Sequence, residues 1–422
     1  MNHSVIKRVI LDQIEMIQNA EIISRDYHFE KNMNYILVGL RRAGKSTLLY
    51  KIARDLVEAG CDWTQIIYVN FEDDRLLGFS KEDFDDIIEA AYELCDKKEI
   101  YYFFDEIQIV DGWVHFARRM ADQKRRVYIT GSNAKMLSSE MEKVLGGRYL
   151  SKMIVPFSFS EVCDYKSIKH DERALLATSQ NGRIRKACQE YIVYGGFPEA
   201  QGLVNKREYI SSVYEKVILG DIVAREKLKN PMTLRLMIKK IAETVTHELS
   251  FNSLAGHLRA CGVRTSTDSM IEYVSYAENA YLLFRNRNFV SKFAEKEGIP
   301  RFYFCDNGIL SLFLVDKASI LLENVVALNL KYTFGDGVYY YKSKKTGIDI
   351  DFYLPNEKTA IQVAYSLDEA WEREVGSLIS FAENTDGIER LVIVTNEEEC
   401  SIEEKGHRIE VIPIHKFLLS VD

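Results

Sequence analysis

Prolines are few, six in 422 residues, and no stretch rich in glycine and serine breaks the chain. Flexible and polyproline tethers are thereby excluded, and the domains are expected to be docked closely rather than strung on linkers. No run approaches the ~18 apolar residues of a membrane span. The opening residues, Met1-Asn2-His3-Ser4, lead into an amphipathic stretch whose apolar runs are interrupted by charges, so neither an anchor nor a signal peptide is expected. The seven cysteines stand at 61, 95, 163, 188, 261, 305 and 400, an odd number without metal-site or redox spacing. That argues against a zinc cluster or disulfide scaffold and for reduced thiols in a cytoplasmic protein. An excess of positive charge is also lacking: the net charge is −8. No global field for nucleic acid exists, although a local basic surface stays open.

What is present is the composition of a globular protein, 47% apolar and 28% charged, in a chain too long for one ordinary core; two or three domains are expected. The most informative segment is Gly39-Leu-Arg-Arg-Ala-Gly-Lys-Ser46, which fits the phosphate-loop pattern G-x-x-x-x-G-K-[ST] at every fixed position. An apolar run, Tyr35 to Val38, precedes it and reads as a buried strand. Thr47 to Val57 follows and reads as a helix, with apolar residues at Leu48, Leu49, Ile52, Ala53 and Leu56. The loop therefore leads into a helix N-terminus, where free N–H groups and the helix dipole favour a polyphosphate. Gly39 and Gly44 permit the tight backbone. Lys45 can reach the β- and γ-phosphates and the Ser46 hydroxyl can hold Mg²⁺. Arg42, Ala43 and Thr47 complete the expected ATP-binding segment, with the Arg41 and Arg42 side chains turned to solvent or neighbouring elements.

A second apolar run, Tyr101 to Phe104, ends in Asp105-Glu106, the form of a Walker B strand. Asp105 is expected to bind the Mg²⁺ hydration shell and Glu106 to polarise the attacking water. A further strand candidate, 66–71, lies between the two motifs, as in the additional-strand class of P-loop ATPases. The strand 126–130 runs into Gly131-Ser132-Asn133. Ser132, with Asn133 second, reads as a sensor touching the γ-phosphate or the lytic water, or equally as an ordinary turn or helix cap. Arg148, after Gly146-Gly147 and before a strand at 150–155, reads either as a catalytic arginine stabilising the transferred phosphoryl group, in its own subunit or a neighbour's, or as a surface residue.

Short apolar runs alternate with helical patterns from about 32 to 155, behind a leading helix over 4–24. This alternation predicts an α/β fold with a parallel sheet and helices on both faces. After Pro156 the pattern is mostly helical to about 290. From about 302 a mixed α/β pattern follows, with strands at 302–305, 337–341, 348–354, 359–364 and 390–394 and a helix at 368–382. Six motifs occur in order: the phosphate loop, Phe-Asp-Glu-Ile-Gln (104–108), Ile-Thr-Gly-Ser-Asn (129–133), Gly-Gly-Arg-Tyr (146–149), Pro-Phe-Ser-Phe-Ser-Glu (156–161) and Tyr-Gly-Gly-Phe-Pro (194–198). Together the chain resembles prokaryotic AAA-type ATPases that carry a C-terminal DUF4143 region. The resemblance implies an AAA-like P-loop ATPase domain over 1–160, a helical region with a winged-helix-like unit over 161–295, and a domain akin to the PD-(D/E)xK nuclease fold over 296–422.

Within the middle region, a helix at 252–260, a turn at Gly262 and a helix from about Ser266 make a helix-turn-helix pattern. Ser266 or Thr267 can cap the second helix, and Met270, Ile271, Val274 and Ala277 form its buried stripe. If the unit bound DNA, Arg259, Arg264, Thr265 and Ser266 would approach it. The second helix, however, carries Asp268, Glu272 and Glu278 and no Lys or Arg, which favours packing or protein docking. In the C-terminal region, Glu323, Asp349 and Asp351 are nuclease-type carboxylates, the last two on one strand face. Gln362 and Ala364 stand where a Glu and a Lys are needed, so nuclease activity is not expected. Lys342, Lys344 and Lys345 form a nearby basic cluster.

These observations predict a cytoplasmic Mg²⁺-dependent ATPase that couples nucleotide state to domain rearrangement. An ATP-switched DNA-binding regulator and an ATP-gated protein-interaction scaffold are the alternatives. A protein partner, DNA and homo-oligomers stay open; a membrane does not.

Overall fold

A computed structural model describes residues 3–137, 143–290, 292, 297–315, 318–368 and 370–420. The chain divides into two units, Met1–Val155 with Asn279–Tyr281, and Pro156–Glu278 with Leu282–Asp422.

In the first unit the predicted strands form β1 (Asn34–Val38), β2 (Ile66–Asn70), β3 (Tyr101–Asp105), β4 (Arg126–Gly131) and β5 (Tyr149–Met153). All pair in parallel, in the order β2-β3-β4-β1-β5. β1 is buried along its whole length, which is why it reads as an unbroken apolar run: helices cover both faces of a parallel sheet. The helices are α1 (His3–Asn19), α2 (Lys45–Glu58), α3 (Phe84–Leu94) and α4 (Trp113–Asp122). Ile6, Val9, Ile10, Ile14 and Ile17 are the buried stripe of α1, which packs on β2 and α3 and ends five residues before the expected limit. Leu48, Leu49, Ile52 and Ala53 of α2 close a core with Tyr35, Leu37, Tyr68, Phe103 and Tyr128. The strand that separates β1 from β3 in the sheet is β4. The strand lying between the two motifs in sequence, β2, sits at the edge instead.

The second unit begins with α5 (Phe159–Tyr165), α6 (Glu172–Leu176), α7 (Thr178–Tyr194), α8 (Pro198–Gln201) and α9 (Lys206–Lys216), which runs into a π-helix at Val217–Ala224. Then come α10 (Pro231–Glu243), α11 (Phe251–Ala260), α12 (Thr267–Asn279), α13 (Asn307–Ser311), α14 (Ala318–Phe334), α15 (Trp371–Asn384) and α16 (Ile414–Ser420). Residue 369, inside the helix expected over 368–382, lies outside the described residues. The strands are β6 (Leu283–Asn288), β7 (Arg301–Phe304), β8 (Tyr339–Lys342), β9 (Asp349–Leu354), β10 (Thr359–Ala364), β11 (Arg390–Thr395), β12 (Cys400–Glu404) and β13 (His407–Pro413). They make one mixed sheet in the order β12-β13-β11-β10-β9-β8-β6-β7. β6 corrects the expectation of helix to about 290. β12 and β13 form a hairpin the sequence reading passed over, joined by Lys405 and Gly406, both at positive φ; that is the geometry of a two-residue primed turn.

Two of the motifs turn out to build this unit. Ser158 and Glu161 form a reciprocal capping box on α5. Gly195 and Gly196 lie where a Cβ would fall 2.2 Å from Asp306 Oδ1 and from the Phe157 carbonyl oxygen, respectively. Their bareness lets the Gly196 N–H donate to Asp306 Oδ2 at 2.8 Å, while the Gly308 N–H donates to Oδ1 at 2.8 Å. Each buried N–H left without an acceptor costs ~1–3 kcal/mol, so Asp306→Ala is expected to lose about 3 kcal/mol or more in urea unfolding. Burial pushes the Asp306 carboxyl up to about 7, against its backbone donors. Its folded value exceeds the unfolded ~3.9, so folding takes up a proton between these values and stability falls as pH rises through that window. In Asp306→Asn the stability difference between pH 4 and pH 8 is expected to shrink.

Candidate functional site

The phosphate loop runs from the end of β1 to the start of α2. Gly39 has φ +148, and a Cβ there would stand 1.9 Å from the Ile154 carbonyl oxygen. The Ile154 N–H donates to the Val38 carbonyl at 2.7 Å, so backbone closes directly over the glycine. Gly44, at φ 95, is the N-cap of α2 and leaves its first turn without a side-chain cap; those N–H groups keep their capacity for an anion. Lys45 is buried, and its Nζ donates to the Gly39 and Leu40 carbonyls at 3.0 and 3.1 Å. The ammonium is thus folded onto its own loop. Ala43 is buried, Thr47 is half-buried and Arg42 is exposed at φ 65. Arg41 pairs with Glu72 at 2.8 Å. Arg25, a residue the sequence reading did not single out, is buried and donates to the Ala43 carbonyl at 2.9 Å, fixing the loop from beneath.

Because β1, β3 and β4 are parallel, their C-terminal ends bring the loop, the acidic pair and the sensor candidates to one edge. Asp105 is 1% exposed. Its Oδ2 accepts from the Tyr68 hydroxyl at 2.7 Å and its Oδ1 from the Thr130 hydroxyl, with the Ser46 hydroxyl a further donor near it. Burial and the adjacent Glu106 charge raise the Asp105 carboxyl above the usual carboxylate range, against these three donors. Glu106 is buried in the left-handed region at φ 53. Its N–H donates to Thr130 Oγ1 at 3.0 Å. Its carboxylate accepts from Gln108 Nε2 and, at 3.3 Å, from Ser132 Oγ. Ser132 and Asn133 are both buried, so the structure gathers Lys45, Ser46, Asp105, Glu106 and Ser132 and adds Thr130 and Tyr68.

Arg148 is a correction. It precedes β5, whose Tyr149 pairs with Asn34 at the start of β1. In a parallel sheet that places it at the edge opposite the loop, about 16 Å away at ~3.3 Å per residue. There its Nε pairs with Asp122 Oδ1 at 2.6 Å. Strand polarity and this ion pair set Arg148 apart from the phosphate loop, Asp105 and Glu106.

In the second unit, α11 and α12 flank a turn at Gly262, φ 82, and Ser266 caps α12 by accepting from the Ser269 N–H at 3.1 Å. Met270, Val274 and Ala277 are buried, but Ile271 is 45% exposed; it leaves the predicted stripe. Arg259, Arg264 and Ser266 are exposed and Thr265 is half-buried. Glu278 holds Arg285 in a bidentate pair at 2.6 and 2.7 Å. Glu323, Asp349 and Asp351 converge around Arg301, another residue passed over. Gln362 and Ala364 are buried on β10, Lys342 is half-buried, and Lys344 and Lys345 are exposed. Among the described residues, no helix is long and apolar enough to cross a membrane.

Residues 31–163 match the family model described as an AAA domain, and residues 185–319 match one described as a domain of unknown function, DUF8612. Where DUF4143 was expected over 296–422, the model matched is DUF8612, and it ends at 319. An uncharacterized protein of Methanocaldococcus jannaschii is 29% identical, covering 98% of this chain and 95% of its own. An uncharacterized protein of Haemophilus influenzae is 27% identical, covering 94% and 99%. Among solved structures, the ORC1 protein of Aeropyrum pernix in complex with DNA is 14% identical, covering 77% of this chain and 94% of its own with a TM-score of 0.28; so low a score carries no argument. The matched family model, the parallel sheet and the phosphate loop make the first unit an AAA-type P-loop ATPase domain, followed by a helical region and a mixed C-terminal sheet.

Proposed function

We propose that the chain binds ATP with Mg²⁺ at Gly39–Thr47 and hydrolyses it, coupling nucleotide state to rearrangement of the second unit. One observation carries this reading: the buried Asp105 carboxylate, fixed by Tyr68 and Thr130, stands beside Ser46 at the mouth of a glycine-lined loop, as partners that hold one Mg²⁺ must. Ser46 and Asp105 would hold Mg²⁺, which would supply positive charge against the transferred phosphoryl group. Lys45 is poised to exchange its two loop carbonyls for phosphate oxygens, a charge-assisted and stronger contact. Gly39, Gly44 and the first turn of α2 supply N–H groups to the phosphates. Glu106 orients and deprotonates the water, and Ser132 fixes the Glu106 carboxylate. Arg148 reads as an arginine supplied to a neighbouring copy, since strand polarity removes it from its own site. On that reading ATP turnover per chain rises with protein concentration, and Arg148→Ala lowers turnover about tenfold or more while leaving ATP affinity unchanged.

The reading is tested by calorimetry of ATP and Mg²⁺ binding in buffers of different ionisation enthalpy. A metal must displace any proton that burial keeps on Asp105, so uptake is expected to release protons. Below the raised value, affinity then climbs up to ~tenfold per pH unit. Absence of ATP binding at millimolar concentration removes the proposal. As for DNA, the exposed face of α12 carries Asp268 and Glu272 and no cation, which repels phosphate. We therefore favour protein docking over DNA for the second unit.

A further inference from the structure

The carboxylates gathered in the C-terminal sheet already hold a cation, and it belongs to the protein. Arg301 opens β7 and is 2% exposed. One terminal nitrogen of its guanidinium reaches Asp349 Oδ1 at 2.6 Å and the other Asp351 Oδ1 at 3.2 Å. The group lies over the Tyr340 ring, 4.7 Å from its centroid. The second oxygen of each aspartate is also committed: Asp351 Oδ2 accepts from the Val363 N–H at 3.0 Å, and Asp349 Oδ2 faces Lys342 Nζ at 2.9 Å. Glu323 Oε1 accepts from the Tyr303 hydroxyl at 2.8 Å.

Gln362 ties the arrangement down. Its Oε1 accepts from the Asp351 N–H at 2.7 Å and its Nε2 donates to the Asp349 carbonyl at 3.0 Å. The amide thus latches β10 to β9, which a carboxylate at this position could not do with its acceptor-only oxygens. A divalent ion of the Mg²⁺ type needs about six oxygen ligands at ~2.0–2.1 Å. Here both aspartates give all four of their oxygens to protein donors.

We propose that Arg301 is a built-in cation standing in the divalent-metal position of the Asp349, Asp351 and Glu323 cluster, so that this domain takes up no metal there, and that removing the guanidinium alone opens the cluster to Mn²⁺ or Mg²⁺. The acidic surplus supports it. Burial and Asp351 push Glu323 up to about 8, with Arg301 and Tyr303 opposing. Burial and Asp351 push Glu374 up to about 7, with Arg373 opposing. Loss of Arg301 leaves this field to the more exposed Lys342 and Arg373, and a small hard cation is the chemistry that answers the buried deficit.

The test is a Mn²⁺ titration of the full chain, followed by electron paramagnetic resonance, without nucleotide, so that the phosphate loop plays no part. Wild type, Asp351→Asn and Arg301→Lys are expected to show the same Mn²⁺ uptake. Arg301→Ala is expected to gain one equivalent bound at least tenfold more tightly than anything in wild type, and to lose it in Arg301→Ala/Asp351→Asn. A Mn²⁺ site in wild type that Asp351→Asn abolishes overturns the proposal. So does folded Arg301→Ala, checked by circular dichroism, that binds no more Mn²⁺ than wild type. Should Arg301→Ala not fold, the comparison of wild type with Asp351→Asn decides alone: equal uptake supports the internal cation, unequal uptake refutes it.

Discussion

Glu106→Gln is expected to keep ATP bound while phosphate release falls by ~10²–10⁴-fold, the range that a positioned general base supplies. The amide is isosteric and cannot take a proton from water. The Glu106 backbone N–H, held by Thr130 at 3.0 Å, is untouched by the change, so the strained turn at φ 53 survives. Lys45→Ala is expected to differ in kind. Its ammonium is the only side-chain cation of the phosphate-loop motif's fixed positions, and losing it weakens ATP binding as well as turnover. Measuring bound nucleotide and released phosphate on the same samples separates the two outcomes. Equal phosphate release from wild type and both variants would falsify the assignment of hydrolysis to this edge of the sheet. ATP loss in Glu106→Gln would place Glu106 in binding rather than in chemistry.

The phosphate loop was legible because its chemistry is carried by backbone: glycines, a strand before and a helix after are sequence-level facts. The acidic pair was legible for a similar reason, being a break in an apolar run. Thr130 was not. A β-branched residue ending a strand is the commonest of strand residues, and only register makes it functional: Phe104 pairs with Ile129, which brings the next residues, Asp105 and Thr130, level. For Arg148 the sequence left its own subunit, a neighbour and the surface all open, although a signal bearing on the first was present. A residue just before a strand of a parallel sheet lies at the edge away from a loop that follows a strand. Arg301 opens a short strand and looks like any charged boundary residue, and its meaning depends on Asp349 and Asp351 some fifty positions later. β6 alternates Arg285 and Arg287 with Asn286 and Asn288 after Leu283-Phe284, so no long apolar run announces it. The β12–β13 hairpin alternates polar residues over a Lys-Gly turn rather than the usual Asn-Gly, and its periodicity is correspondingly faint.

Thr130→Val is expected to lower kcat about 10–100-fold with KM for ATP little changed, and Thr130→Ser to restore most of it. The threonine hydroxyl does two things at once: it donates to Asp105 Oδ1 and accepts from the Glu106 N–H. Valine keeps the volume and removes both. The buried Glu106 N–H then lacks an acceptor, at ~1–3 kcal/mol, and the positive φ of Glu106 loses the contact that holds it, at a further ~1–3 kcal/mol of stored strain. Relaxing toward an ordinary backbone conformation relieves both and swings the Glu106 carboxylate away from Ser132 and Gln108. The lost free energy therefore surfaces in the chemical step more than in binding, because the loop of Gly39–Ser46 contacts the phosphates without Thr130. Ser132→Ala tests the competing assignment. It removes one 3.3 Å hydrogen bond to a carboxylate that Gln108 also holds, so its effect is expected to be several-fold smaller than that of Thr130→Val. The reverse order, with Ser132→Ala the more damaging, would show that the polar contact to the Glu106 carboxylate, and not the backbone turn beneath it, positions the base.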